Sequence, residues 1–402
     1  MPLFDQKAMT ETTHKTVQNL LDALKPTMTA PQWTAVSADI DWEALVVHAI
    51  GLGLAPLLHQ RLTQWQTTNH FSPPPRPMAQ LAVTRKAQAR RNQAIYEQLA
   101  VILQACTQDN IQPIALKGLH LAACYYEEPA LRPMNDIDLL FQPEELARVD
   151  VILRHLGYQS THKSADLGAR VTKHTSAYRL PTAVSEHATP NPYLSPSLAC
   201  PVEPHSSLEE SWYGLRVDIT PGMRARAQTA ELPPGMTCLV LSPTDLMLHI
   251  TVHFTFHLIM GAPSFVQLAD ILILCQNNSI DWETLVIRAC DRQAEPYVYA
   301  ALTLAQKLVH APVPAVILAQ LEKTIPARLR HRIDQLDLAY VLQRTQQRPF
   351  SSLPHRLRHG LSERIEIAQW ATDWQSKWRV WQTALQWHKT DTARLLWQRL
   401  RK

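Results

Sequence analysis

Two aspartates, Asp136 and Asp138, stand two apart in the run Arg132-Pro-Met-Asn-Asp-Ile-Asp-Leu-Leu-Phe. The alternation over Asn135 to Phe141 predicts a strand. Period two then puts both carboxylates on one face of a sheet, with Ile137 and Leu139 on the other. Neighbouring carboxylates repel, and a divalent cation removes that cost. Two hard oxygen ligands at this spacing suit Mg²⁺, which keeps waters and recruits substrate phosphates. For so short a motif, solvated acids on an exposed strand are the plainer alternative.

Upstream, Leu116-Lys117-Gly118 falls where a predicted strand, Ile111 to Leu116, hands over to a predicted helix, Leu119 to Tyr126. Amides at a helix start cradle phosphate, and Lys117 adds a point charge; a surface lysine beside a turn glycine is the other reading. Arg132 lies just before the pair. It can grip a phosphate or hold the Asp136 loop by an ion pair.

The elements that must position these residues follow from periodicity and punctuation. With 402 residues, the chain has room for two or three domains at roughly 150 residues each. A hydrophobic share of 46% supports a sizeable core, and the net charge of +4 does not by itself call for nucleic acid or membrane. Ten glycines against 29 prolines fit helices punctuated by proline. The N-terminal region, 1–110, reads as helical. Asp41-Trp-Glu looks like a capped start, a proline cluster at Ser72 to Pro77 a turn or linker, and Met78 to Gln108 a long amphipathic helix.

From 111 to 240 the pattern is strand–helix–strand–helix, with Pro143 opening a helix over Glu144 to Leu156 that Gly157 closes. Val171 to Leu180 and Leu215 to Thr220 read as strands. Between them, 181–211 is rich in Pro and Ser, lacks periodicity and is expected to be a functional or disordered insertion. From 241 to 350 the chain is helical again, with pieces at Ser242 to Leu258, Ser264 to Cys275, Trp282 to Asp291 and Pro296 to Val309. The tail, 351–402, is basic and carries six of the eleven tryptophans.

The six cysteines form no CxxC pair, so buried reduced thiols are expected rather than zinc or disulfides. With no apolar leader and no run long enough to span a bilayer, the expected location is the cytoplasm, without a transmembrane segment.

Together, Ile114-Ala-Leu-Lys-Gly-Leu-His-Leu-Ala, then Leu131-Arg-Pro-Met-Asn-Asp-Ile-Asp-Leu-Leu-Phe, then the helix ending Leu156-Gly-Tyr resemble an uncharacterised bacterial nucleotidyltransferase family of the DNA polymerase beta-like superfamily. Asp41-Trp-Glu-Ala-Leu to His59, Leu241-Ser-Pro-Thr-Asp-Leu to His257 and Leu268-Ala-Asp-Ile to Trp282 resemble its flanking helical regions. The likeness covers most of Asp41 to about Pro314.

The resemblance implies an α+β fold: a small mixed-sheet nucleotidyltransferase core flanked by N- and C-terminal helical regions. It also implies transfer of a nucleotidyl group from an NTP, ATP among them, to an unidentified acceptor hydroxyl on a protein, peptide, RNA or small molecule. Two Mg²⁺ ions are expected. A third carboxylate on a later strand would complete the set, and Asp218 in Leu215-Arg-Val-Asp-Ile-Thr is the match. Asp136 and Asp138 would hold the nucleotide's ion, Asp138 and Asp218 the acceptor's, with Asp218 as base. Lys117, Gly118 and Arg132 would bind the nucleotide.

The chain departs from the pattern in two places. Gly118 is followed by Leu119 where the superfamily has serine, and Asp218 by Ile219-Thr220 where the family has a His-Trp pair. These departures motivate a second reading, a degenerate binding or scaffold protein of the same fold.

His249, His253 and His257 fall on one predicted helix face. Zinc binding is one reading; lining the cleft or packing on the sheet is the other. Trp370, Trp374, Trp378 and Trp381 form a helical stripe among basic residues, which suits a helix docking on the body or, in a third reading, an adaptor binding RNA or membrane.

Overall fold

The computed structural model describes residues 11–36, 39–68, 71–161, 177–181, 199–277, 279–345 and 363–385. Helices form where the sequence spaces apolar residues for them. In the N-terminal region these are α1 (Glu11–Leu24), α2 (Ala30–Val36), α3 (Trp42–Gly51) and α4 (Ala55–Thr68). Asp41 caps α3, its carboxylate accepting from the amides of Glu43 and Ala44 at 3.0 Å each. The long helix α5 (Pro75–Gln108) begins inside the proline cluster, because proline is tolerated in a first helical turn. Its buried Ile95, Leu99, Ile102, Leu103 and Cys106 are the predicted stripe.

The core follows with β1 (Ile114–Ala115), α6 (Lys117–Cys124), β2 (Ile137–Leu140), α7 (Leu146–His155), β3 (Gln159–Thr161) and β4 (Ala177–Arg179). The chain continues through β5 (Val202–His205), β6 (Glu209–Trp212), β7 (Leu215–Asp218), β8 (Gln228–Leu232) and β9 (Met236–Val240). Seven strands form one mixed sheet in the order β3-β4-β5-β2-β1-β9-β8, while β6 and β7 pair as a separate hairpin. β2 runs parallel to β5 and antiparallel to β1.

The stretch expected to be an insertion divides. Positions 182–198 lie outside the described residues, as do 162–176. Residues 202–205 instead form a central strand of the sheet, and β6 lies at the stretch's end. Pro204 can sit there because alternate residues of a strand bond to opposite sides. The carbonyls of Pro201 and His205 accept from the amides of Ile137, which opens β2, and Phe141, just beyond its end. Pro204 therefore faces β4, which pairs only as far as Val202.

The C-terminal region adds α8 (Pro243–Ile259), α9 (Phe265–Gln276), α10 (Trp282–Asp291), α11 (Glu295–Val309), α12 (Ala315–Thr324), α13 (Ala327–Asp334), α14 (Leu338–Thr345) and α15 (Trp374–Leu385). α8 is buried along nearly its whole length. At its start, fully buried Asp245 takes Arg226 at 2.8 and 2.9 Å and Arg288 at 2.8 Å, tying the β8 approach to α8 and α10.

Two apolar cores result. One face of the sheet, with Ala115, Ile137, Leu139 and Phe141, packs on α5 and α7. The other face, with Ile114 and Leu140, joins a larger core shared by the N- and C-terminal helices. The tail's tryptophans split between roles. Trp370 is fully buried, whereas Trp374 is 74% and Trp378 47% exposed. α15 lies against the β6–β7 turn, where Thr383 donates to the Tyr213 carbonyl at 3.2 Å. All six cysteines are free. Among the described residues, no helix is long and apolar enough to cross a membrane.

Candidate functional site

β2 lies between β1 and β5, so both its edges are bonded and its side-chain directions are fixed. Asp138 sits on β2, 2% exposed, and Asp136 stands just before the strand, partly exposed. By alternation both point away from the α5 core, toward the face that carries Leu140. Burial and then the adjacent Asp138 push the Asp136 carboxyl up to about 7, against the pull of Lys117. A carboxylate this reluctant to ionise is one whose charge a cation would relieve.

Lys117 opens α6 with its backbone at φ +44°, a left-handed conformation that costs a non-glycine residue roughly 1–3 kcal/mol. Its buried ammonium lies 3.1 Å from Asp138 Oδ1. Burial alone would lower its pKa, but Asp138, Asp136 and Glu210 outweigh it and raise the value. Gly118 has a steric reason: a Cβ there would come 2.5 Å from Arg132 Nη1 and 3.1 Å from Met134 Cγ.

Arg132 turns its guanidinium toward α9. It grips fully buried Asp270 on α9 in two bonds, Nε to Oδ1 at 2.8 Å and Nη2 to Oδ2 at 2.7 Å. Tyr126 donates to the same carboxylate at 2.6 Å. Of the two sequence readings, the geometry favours an ion pair that holds the Asp136 loop, with Asp270 as its partner. α5 steadies that loop from beneath: Arg91 Nε donates to the Met134 carbonyl at 3.1 Å and Asn92 to that of Arg132 at 2.9 Å.

Asp218, expected as the third acid, lies outside the seven-stranded sheet. It ends β7 in the separate hairpin, and its carboxylate accepts from the Thr220 amide at 2.9 Å and from the Thr220 hydroxyl. Beside Asp138 stands Glu203 instead, its register partner on parallel β5. His205, two residues on and so on the same face, brings Nε2 to 2.6 Å from Asp138 Oδ1. One donor atom from each of Asp138, Glu203 and His205 lies within 4.8 Å of the others. Sequence reasoning missed both Glu203 and His205. The available signal was an acid and a histidine at strand spacing.

The second histidine set borders this site. His253 Nδ1 lies 2.7 Å from Glu210 Oε1 on β6, and its ring is 4.2 Å from that of His257 and 5.8 Å from that of His249. These contacts fit packing against β6. Asp136, Asp138 and Glu203 offer hard carboxylate oxygens, the donor chemistry of a divalent-cation site; the donor atoms of Asp138, Glu203 and His205 lie together, and Asp136 stands within the field of the two acids.

A family model described as an uncharacterised nucleotidyltransferase matches residues 38–310, and the chain belongs to that family. None of the curated proteins and none of the solved structures matches the chain.

Proposed function

We propose that the chain is a divalent-metal-dependent nucleotidyltransferase that moves a nucleotidyl group from an NTP to an acceptor hydroxyl. The observation that carries this is the meeting of Glu203 with Asp138 across β2 and β5, beside Asp136. Three carboxylates near one another fit the acid set that the resemblance implies, with Glu203 in the place first given to Asp218.

In this reading Asp136, Asp138 and Glu203 hold the cations, Mg²⁺ with two ions expected, which would neutralise charge building on the phosphate oxygens. The acceptor oxygen bonds to the α-phosphorus. The bond from that phosphorus to the oxygen leading to the β-phosphate breaks, pyrophosphate leaves, and the hydroxyl proton passes to Glu203. Lys117, paired with Asp138, would meet a phosphate with its ammonium. Gly118 allows α6 to approach Arg132, and Arg132 through Asp270 fixes the loop from which Asp136 projects. Catalysis here is positioning and charge stabilisation.

The test is calorimetry with each of the four NTPs, with and without divalent cation, on the wild type and on Asp136→Ala/Asp138→Ala. Metal-dependent binding that vanishes in the double variant is expected. Failure of the folded wild type to bind any NTP would return the fold to a scaffold role.

A further inference from the structure

We infer that His205 is itself a metal ligand, so that the site takes a first-row transition ion of the Mn²⁺ kind in preference to Mg²⁺. This rests on the metal-dependent reading above and narrows it.

Three observations point the same way. The first is placement. His205 follows Glu203 at strand spacing on β5, and β5 lies parallel to β2 with Leu140 opposite His205. The ring is 1% exposed, and its backbone is held by the bond from the Phe141 amide at 2.8 Å. It stays where the sheet puts it.

The second is direction. A histidine that only braced Asp138 from behind would stand on the far side of that carboxylate from Glu203. Here a ring nitrogen of His205, a carboxylate oxygen of Asp138 and one of Glu203 lie within 4.8 Å of one another. That spacing leaves no room for the nitrogen to stand directly behind the Asp138 oxygen as seen from Glu203. Its 2.6 Å approach to Asp138 Oδ1 is close to the roughly 3 Å between adjacent ligands of an ion with bonds of about 2.1 Å. Drawn in to roughly 3 Å of one another, the three donors make a chelating set.

The third is chemistry. Mg²⁺ prefers oxygen throughout and keeps its waters, whereas an imidazole nitrogen suits first-row transition ions better. Two carboxylates with one imidazole therefore favour an ion that accepts nitrogen without giving up oxygen.

The experiment uses the full chain and Mn²⁺ as the probe. Mn²⁺ is titrated in and its coordination read by pulsed electron paramagnetic resonance, which detects ¹⁴N bound to the ion; competition with Mg²⁺ gives the preference. The expected result is a nitrogen coupling in the wild type, Mn²⁺ held roughly tenfold or more tightly than Mg²⁺, and loss of both in His205→Gln. Glutamine keeps an amide donor of similar reach toward Asp138, so it would replace a histidine that merely braced the acid.

Oxygen-only coordination in the wild type overturns the inference, and it decides the matter even if the variant fails to fold. Nitrogen coupling that persists in a folded His205→Gln also overturns it. Mn²⁺ bound through oxygen alone leaves the metal-dependent reading standing. Failure of the folded wild type to bind either ion, with or without NTP, withdraws that reading as well.

Discussion

Asp138 and Glu203 are lateral neighbours on parallel strands β2 and β5, although a helix, a two-strand excursion and the proline-rich segment separate them in the chain. Parallel pairing places register partners on the same face, so their carboxylates meet above the middle of the sheet. Asp218, expected to complete the set, belongs to a hairpin outside that sheet and spends its carboxylate on Thr220.

The two acids are separable by experiment. Glu203→Gln should weaken metal-dependent NTP binding by at least the roughly 10–100-fold typical of losing a supporting group at a metal site. Asp218→Asn should leave it unchanged and shift stability by no more than about 0.5 kcal/mol, as surface substitutions do. Calorimetry and denaturant unfolding on both variants check this. The reverse ranking would restore Asp218 as the third carboxylate.

What the sequence made legible was local. Asp136, Asp138 and Lys117 stand at a strand and a helix start whose apolar alternation is plain, and the capped helix at Asp41 announces itself. β5 was illegible because Val202-Glu-Pro-His contains three residues that strands usually avoid or merely tolerate. Its membership in the sheet comes from tertiary pairing with β2. Likewise nothing local tells Arg132 from a phosphate ligand, since its partner Asp270 comes from a distant helix.

The Arg132–Asp270 pair should act as a clamp on the Asp136 loop. Both side chains are buried, at 8% and 0% exposure, so removing one partner strands the other charge. Arg132→Met or Asp270→Asn should each cost about 3–5 kcal/mol in urea unfolding, and Arg132→Met/Asp270→Leu less than the sum. Single variants within about 1 kcal/mol of the wild type would refute the clamp.

A pH dependence follows from Asp136. Its folded-state carboxyl is raised to about 7 by burial and by Asp138, well above the value near 4 expected when unfolded. Between those values the folded state binds the extra proton, so this group's contribution to stability falls as pH rises from about 4 to about 7. Asp136→Asn should therefore be more stable than the wild type at pH 8, by on the order of 1 kcal/mol given the residue's partial exposure, with the gain vanishing toward pH 4. Cation binding needs the ionised form. Wild-type metal affinity should drop up to about tenfold per pH unit below about 7, measured by titration at fixed ionic strength.

The tail's tryptophans should divide as their burial does. Trp370 is fully enclosed, so Trp370→Ala should cost about 3–5 kcal/mol. Trp374 is largely exposed, and Trp374→Ala should change thermal stability by no more than about 0.5 kcal/mol. Equal losses at both positions would mean that the outer face of α15 is also covered in solution.

Lys117 should affect metal and nucleotide in opposite directions. Its ammonium sits 3.1 Å from Asp138 Oδ1 and within the field of Asp136 and Glu210, where it offsets charge that a cation would otherwise offset. Removing it in Lys117→Met leaves those acids less compensated, so the variant should bind Mn²⁺ or Mg²⁺ more tightly than the wild type. The same change deletes the point charge proposed to meet a phosphate, so NTP affinity at saturating metal should fall by about 1.5–3 kcal/mol, the worth of a charged hydrogen bond. Metal titration without nucleotide, then nucleotide titration at saturating metal, separates the two effects. A loss of both affinities together would mean that Lys117 braces the Asp138 carboxylate in place and has no direct part in holding phosphate.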